Sequence, residues 1–321
     1  MFMKACNKSV GILALEALNR RMPELHPKKK YVEEDVGKSL AGFKGEMEVN
    51  RHLVRLHHPA YRIFHGLRLS KIYGEHFQMD FLLISPSFFL LIEVKNYAGE
   101  IILERDYPQL IQIRNGVTTA YKDPIIQVIR QKNLFLEWLQ RNEFPDIPIE
   151  HLVVIANQHA IIKASPQHFS IFDVLINSDY LSLKIEKLRQ KYQSEIFNQN
   201  ELLKLSTLLL TSDCPLQTNI LQKYSINENE LLNGVHCPIC FSLPMNRKIG
   251  NWICRSCGES SPDAHLSSLR DYTLLKKRTV TNKELRLFLG IESETIAHRI
   301  LASMALNFTG ITKSREYILI E

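Results

Sequence analysis

Residues 78–100, QMDFLLISPSFFLLIEVKNYAGE, read as two apolar strands around a tight turn, interrupted by Asp80, Glu93 and Lys95. A two-residue loop at Pro86-Ser87 makes the strands antiparallel and sets Asp80 directly across from Glu93. Lys95, two residues beyond Glu93, projects from the same strand face. Two carboxylates side by side on a half-buried sheet repel each other and need a shared proton, a basic partner or a divalent cation. Two readings follow. Lys95 closes a structural ion pair, the ordinary fate of a Glu-x-Lys strand, or the three groups carry chemistry.

Flanking segments supply further polar groups. From Gly42 to Leu56 the residues Phe43, Met47, Val49, Leu53, Val54 and Leu56 gather on one half of a helical wheel, with Glu48, Arg51, His52 and Arg55 opposite. Glu46 falls within the apolar half, where a carboxylate needs a partner such as Arg62 or Lys95, or a role at a site. Downstream, DPIIQVIRQKNLFLEWLQRN reads as a helix with Pro124 in its first turn. Gln127 and Gln131 stand one turn apart on it, as surface amides or as groups facing the acid pair. Strands are expected at YRIFHGLRL, Glu100–Glu104, Gln109–Arg114, HLVVIA and FDVLIN. Carboxylate oxygens completed by water and a substrate phosphate suit Mg2+ or Mn2+. His57, His58 and His65 lie nearby with no ligating spacing and read as solvated or packing residues.

Helix-borne Glu46, then Asp80, a hairpin, and Glu93-Val94-Lys95 resemble the PD-(D/E)XK nuclease superfamily. More narrowly, GFKGE, QMDFLLISP, LIEVKNYAGEI and DPIIQVIRQKNLFLEWL are together similar to the nuclease-related domain, NERD, over about residues 37–155. Met79 stands where the superfamily name has proline. The resemblance implies a restriction-endonuclease-like mixed sheet flanked by helices. It also implies Asp80 and Glu93 as ligands of Mg2+ or Mn2+, Lys95 as the water-positioning residue and Glu46 as an auxiliary acid. Gln127 supports the site, with Gln131 as a second candidate.

Near the C-terminus, Cys237-x2-Cys240 and Cys254-x2-Cys257 are separated by thirteen residues. Four thiolates so spaced close a tetrahedral, structural Zn2+ site of the zinc-ribbon type; a redox pair is the alternative. His236 is a spare donor. Arg247, Lys248, Arg255 and Trp252 offer basic and stacking groups to nucleic acid, unless Trp252 simply covers the ribbon core. Beyond it, a Thr281-x-x-Glu284 capping box, a stop at Gly290, a helix after Ser293 and the strand-like REYILIE suggest a helix-turn-helix with a wing. Its second helix is almost neutral, so DNA contact and protein contact compete.

Composition sets the frame: 321 residues, 45% hydrophobic and 23% charged, with a net charge of +6, describe an ordinary globular chain that can meet polyanions, and the resemblance implies the α/β class. The apolar runs are too short to span a membrane, and MFMKACNKSVGILALEALNRRM shows no convincing cleavage site. Four of six cysteines sit in the CxxC pairs, with Cys6 and Cys214 isolated, which fits a reducing cytoplasm. The expected organisation is a basic arm (1–36), a nuclease-like domain (37–180), a helical bridge (181–232), a zinc ribbon (233–262) and a helix-turn-helix-like module (263–321). The expected activity is Mg2+-dependent hydrolysis of DNA, with DNA as partner and a protein partner for the ribbon or C-terminal module. The alternative is a non-catalytic nucleic-acid-binding protein or interaction adaptor on a nuclease-like scaffold.

Overall fold

Ser85 closes the central hairpin: its backbone N–H and its hydroxyl both donate to the Phe88 carbonyl, leaving Pro86 and Ser87 as the loop. The computed structural model of the chain describes residues 1–56, 58–71, 74–104, 109–164, 171–216, 218–311 and 315–319. His57 and the last two residues of REYILIE therefore lie outside the described residues. The chain starts with β1 (Phe2–Lys4), α1 (Val10–Arg21) and α2 (Lys29–Val54). Next come β2 (Arg62–Ser70), β3 (His76–Ile84), β4 (Phe89–Lys95), β5 (Glu100–Glu104), β6 (Gln109–Arg114), β7 (Val117–Lys122) and α3 (Pro124–Arg141). They are followed by β8 (Ile149–Ile155), β9 (Ile161–Ala164), β10 (Leu175–Asn177), α4 (Leu181–Lys191), α5 (Gln199–Thr211) and α6 (Ile220–Tyr224). The chain divides into two units, residues 1–9 with 39–216 and residues 10–38 with 217–321, the partition falling within α2.

The first unit is built on a six-stranded mixed sheet in the order β1-β2-β3-β4-β8-β10. β2, β3 and β4 are antiparallel neighbours, while β8 runs parallel to both β4 and β10. Strands β4 and β8 are largely buried on both faces, which is why their sequences are mainly apolar. One face packs Val49 and Leu53 of α2 with Leu181, Ile185 and Leu188 of α4. The other packs Ile125, Val128, Phe135 and Trp138 of α3 with Leu202, Leu205 and Leu209 of α5. A smaller sheet, β7-β6-β5-β9, joins that second core through Ile101, Leu103 and Leu110.

Several sequence expectations change. Residues 1–36 are not an arm: they form β1, α1 and the start of α2, and β1 pairs with β2. The stretch 181–232 is helical but is no bridge, since α4 and α5 cover opposite faces of the sheet. Helix α2 is longer than Gly42–Leu56, and its buried stripe runs Gly45, Val49, His52, Leu53. Met47 and Val54, assigned to the apolar half, face solvent, whereas His52, assigned to the polar half, is buried. The wheel is turned because Gly45 lets the backbone of α2 approach the end of β4. A Cβ at that position would come within 2.7 Å of the Asn96 Cβ, and Asn96 in turn donates to the Ala41 carbonyl. Gly45→Ala is expected to cost about 1–3 kcal/mol through this overpacking, read as a fall in the melting temperature.

In the second unit, β11 (Asn246–Lys248), β12 (Asn251–Ile253) and β13 (Ser260–Ser261) make a small sheet. Then α7 (Ala264–Leu275), β14 (Thr279–Thr281), α8 (Asn282–Leu289), α9 (Glu294–Ser303), β15 (Phe308–Thr309) and β16 (Glu316–Ile318) follow. The sheet order β14-β16-β15 gathers the short strands before and after the α8–α9 pair into one antiparallel sheet, in the region where the sequence suggests a winged module. The capping box at Thr281 and Glu284, the left-handed Gly290 and the Ser293 cap stand where the sequence puts them. The ribbon and the winged module share one apolar core, from Cys237, Trp252 and Cys254 to Phe288, Leu301 and Tyr317. Arg20 and Arg21 of α1 both bind Asp271 of α7, at 2.6 and 2.9 Å, and Arg21 also lies over the Phe288 ring.

Candidate active site and metal centres

The β3–β4 pairing runs from Ile84–Phe89 to Phe81–Ile92, and one further step sets Asp80 against Glu93. Odd-numbered residues of β4 face the core containing α3, so Glu93 and Lys95 share that side, while β3 changes face around Asp80: Phe77 and Met79 join the same core as Leu82 and Ile84. Glu93 is 2% exposed and almost fully occupied by donors. Its Oε1 accepts from Lys95 Nζ at 2.6 Å and from Gln127 Nε2 at 2.7 Å, and its Oε2 accepts from Gln131 Nε2 at 2.9 Å. Lys95 Nζ also donates to Gln127 Oε1 at 3.1 Å. Asp123 caps α3 by accepting from the Ile125 N–H, and Pro124 starts the helix, which orients both glutamines toward β4.

Asp80 is held differently. The Val94 N–H donates to its Oδ2 at 2.8 Å, while burial, then the charges of Glu93 and Glu46, push its pKa well above the ordinary aspartate range. Burial alone would lower the Lys95 pKa, but Glu93 beside it more than compensates and raises it, so the ammonium persists at neutral pH. Three carboxylates thus act around one lysine, an excess of negative charge that fits a divalent cation between Asp80 and Glu93. Glu46 does not join their hydrogen-bonded network. It turns to His65, whose Nε2 lies 2.7 Å from its Oε2. The sequence marks His65 only as a solvated or packing residue; it is buried against Phe81 and stands opposite it in the β2–β3 register. Its place in the β2 alternation was the available signal. His58 stacks on Tyr61.

Neutralising Asp80 should therefore stabilise the metal-free protein. A raised carboxyl pKa means that the folded state holds the proton more tightly, so this contribution is full below the ordinary aspartate pKa and is lost as pH rises through the folded value. Asp80→Asn is expected to raise the metal-free melting temperature by roughly 2–6 °C at pH 8, from relief of about 1–2 kcal/mol. The gain should vanish near about pH 4, where the wild-type carboxyl is protonated. Calorimetry of both proteins across that range measures it.

The four ribbon cysteines form the second centre. Cys237 and Cys257 sulfurs are 3.6 Å apart, those of Cys240 and Cys254 3.5 Å, and all four lie within 4.8 Å of one another. Sulfurs bound tetrahedrally to Zn2+ stand about 3.8 Å apart, so the cluster fits that ion. Backbone N–H groups of Ile239 and Ser256 donate to the Cys237 and Cys254 sulfurs, as two matching turns. The closest sulfurs belong to different CxxC pairs, which favours a closed metal site over a redox dithiol. His236 is not a ligand: its Nδ1 meets the Ser268 hydroxyl at 3.0 Å, and burial pushes its pKa down to about 4. Trp252 is buried and donates to His265 Nδ1, while Arg247 lies over its ring, so it covers the core. Arg255 is tied to Asn246, and Lys248 stays exposed.

A mixed sheet between helices, with acidic and lysine side chains on adjacent central strands, defines a nuclease-like scaffold, and the chain carries a four-cysteine cluster besides. Residues 41–156 match the family described as the nuclease-related domain, NERD. Among solved structures, protein VC1899 from Vibrio cholerae is similar at 12% identity with a TM-score of 0.26, over 57% of this chain and 51% of that one. The chain thus spans about half the length of that protein. No curated protein matches. No helix among the described residues is long and apolar enough to cross a membrane.

Proposed function

We propose that the protein is a Mg2+-dependent nuclease that hydrolyses DNA phosphodiester bonds, with the ribbon and winged module helping to place it on DNA. The observation that carries this reading is the state of Glu93, a buried carboxylate held by Lys95, Gln127 and Gln131 beside an Asp80 that resists ionisation. A structural ion pair needs only Lys95; two amides and a second acid are surplus to it. Asp80 and Glu93 would hold the ion. Bound there, Mg2+ lowers the pKa of its water and neutralises charge building on the phosphate.

The chain's own residues do the rest. Gln131 fixes one Glu93 oxygen and Gln127 the other, so the acid keeps one orientation. Lys95, protonated and held between Glu93 and Gln127, is a fixed cation for the attacking water and a phosphate oxygen. Its raised pKa makes it a positioning group rather than a base. Glu46 adds negative charge that favours a cation at Asp80. The exposed side of α9 offers Thr295, His298 and Arg299, a modest DNA-facing surface.

A divalent-metal titration of cleavage on supercoiled, linear and single-stranded DNA tests the proposal. Cleavage is expected only with Mg2+ or Mn2+. Salt-sensitive binding without cleavage at any metal concentration would overturn it in favour of a non-catalytic nucleic-acid-binding protein.

A further inference from the structure

Helix α2 carries another polar cluster, one that the nuclease reading leaves unused. Glu48 and His52 stand one turn apart and meet Asp179, from the short 3-10 turn Ser178–Tyr180 after β10; one ligating atom from each lies within 4.8 Å of the other two. His52 Nε2 is 3.3 Å from Glu48 Oε1 and 3.6 Å from Asp179 Oδ1. Gln158, between β8 and β9, sets its amide against the same two oxygens at 3.2 and 3.3 Å. Arg51 donates to Glu48 Oε1 as well. The Asn177 side chain accepts from the Asp179 N–H and holds the turn in place.

We propose that Glu48, His52 and Asp179 bind a divalent transition-metal ion of the Zn2+ type, distinct from both the cysteine cluster and the Asp80–Glu93 pair. Donors arranged tetrahedrally around Zn2+ at nitrogen and oxygen distances stand about 3.4 Å apart, and the 3.3 and 3.6 Å spacings bracket that value. One imidazole with two carboxylates is a donor set suited to Zn2+ rather than Mg2+. The amide of Gln158 has nitrogen toward both acids; turned over, it presents its carbonyl oxygen as a fourth donor. His52 is nine-tenths buried on the stripe that packs α2 to the sheet, so one ligand is rigid. Asp179 is 66% exposed and gives the ion an entry path. Arg51, half exposed on a long side chain, is displaced to solvent once the ion neutralises Glu48. The ion would then clip α2, the helix bearing Glu46, to the turn after β10. The proposal does not rest on nuclease activity.

The test is a calorimetric Zn2+ titration of the full chain with the cysteine site already loaded and the acid pair disabled by Asp80→Asn with Glu93→Gln. One further Zn2+ per chain is expected. His52→Gln and, separately, Asp179→Asn should each weaken it by about tenfold or more. Asp179 is exposed, so its variant guards against a loss caused by misfolding, which circular dichroism checks in both. Failure to bind the additional Zn2+, or an affinity unchanged from that of the parent protein in both variants, would overturn the proposal and leave a hydrogen-bonded ion cluster.

Discussion

Asp80→Asn and Lys95→Ala are each expected to lower Mg2+-dependent DNA cleavage by about a hundredfold or more, with the fold retained. The two losses arise differently. Asparagine keeps an acceptor for the Val94 N–H but removes the charge that, with Glu93, would hold the ion. Its defect should therefore be partly relieved by raising the metal concentration. Removing the Lys95 ammonium takes away one of three donors to Glu93 while Gln127 and Gln131 still hold that carboxylate. Metal affinity should then change little and the rate should fall at saturating metal. Single-turnover assays across a Mn2+ series separate the two patterns. Full activity in both variants would remove the acid–lysine cluster from the chemistry.

Stripping the metal from the cysteine cluster should unfold more than the ribbon. Structural Zn2+ supplies on the order of 10 kcal/mol to small zinc-bound folds, and β11, β12 and β13 are only two or three residues long. Cys237 and Cys254 belong to the same core as Phe288 and Leu301, so loosening the knuckles exposes apolar surface of α8 and α9. The chain has two tryptophans; Trp252 reports on this core and Trp138 on the other unit. In a Trp138→Phe background, a strong chelator or Cys254→Ser should shift Trp252 emission to the red. Cysteine-bound zinc should fall by one equivalent per chain.

The hairpin was legible because Pro86-Ser87 fixes the loop length, and strand register then follows by counting. Glu93, Lys95 and the two glutamines are brought to one side by period alone, whereas β3 changes face between Met79 and Leu82, so period does not place Asp80. The four-cysteine cluster was legible from spacing. Other features were not. Helical phase on α2 could not be read from hydrophobicity, since Met47 and Val54 are apolar but exposed, and the buried stripe depends on the missing Cβ of Gly45. The partner of Glu46 is hidden too: alternation on β2 puts His65 on the face of Ile63 and Phe81, but only tertiary packing brings α2 and Glu46 onto that face. β7 is polar and mostly exposed, so its alternation is silent. Yet Asn115-Gly116, both at positive φ, is the dipeptide of a tight hairpin and marked that strand. α1 was hidden by the reading of its surroundings as a basic arm, although Arg20 and Arg21 at its end bind Asp271.

The Pro86 carbonyl at the tip of the hairpin accepts from the N–H groups of both Ile196 and Phe197. The loop that sets the spacing of the acid pair is therefore fastened by residues translated long after it. Phe197 packs on Phe89, the first residue of β4, and α5 follows at once to cover that side of the sheet. On the ribosome the chain emerges from its N-terminus, so the Pro86 carbonyl gains these two donors only after residue 197 has left the exit tunnel. Maturation of the site is in this sense timed by chain length.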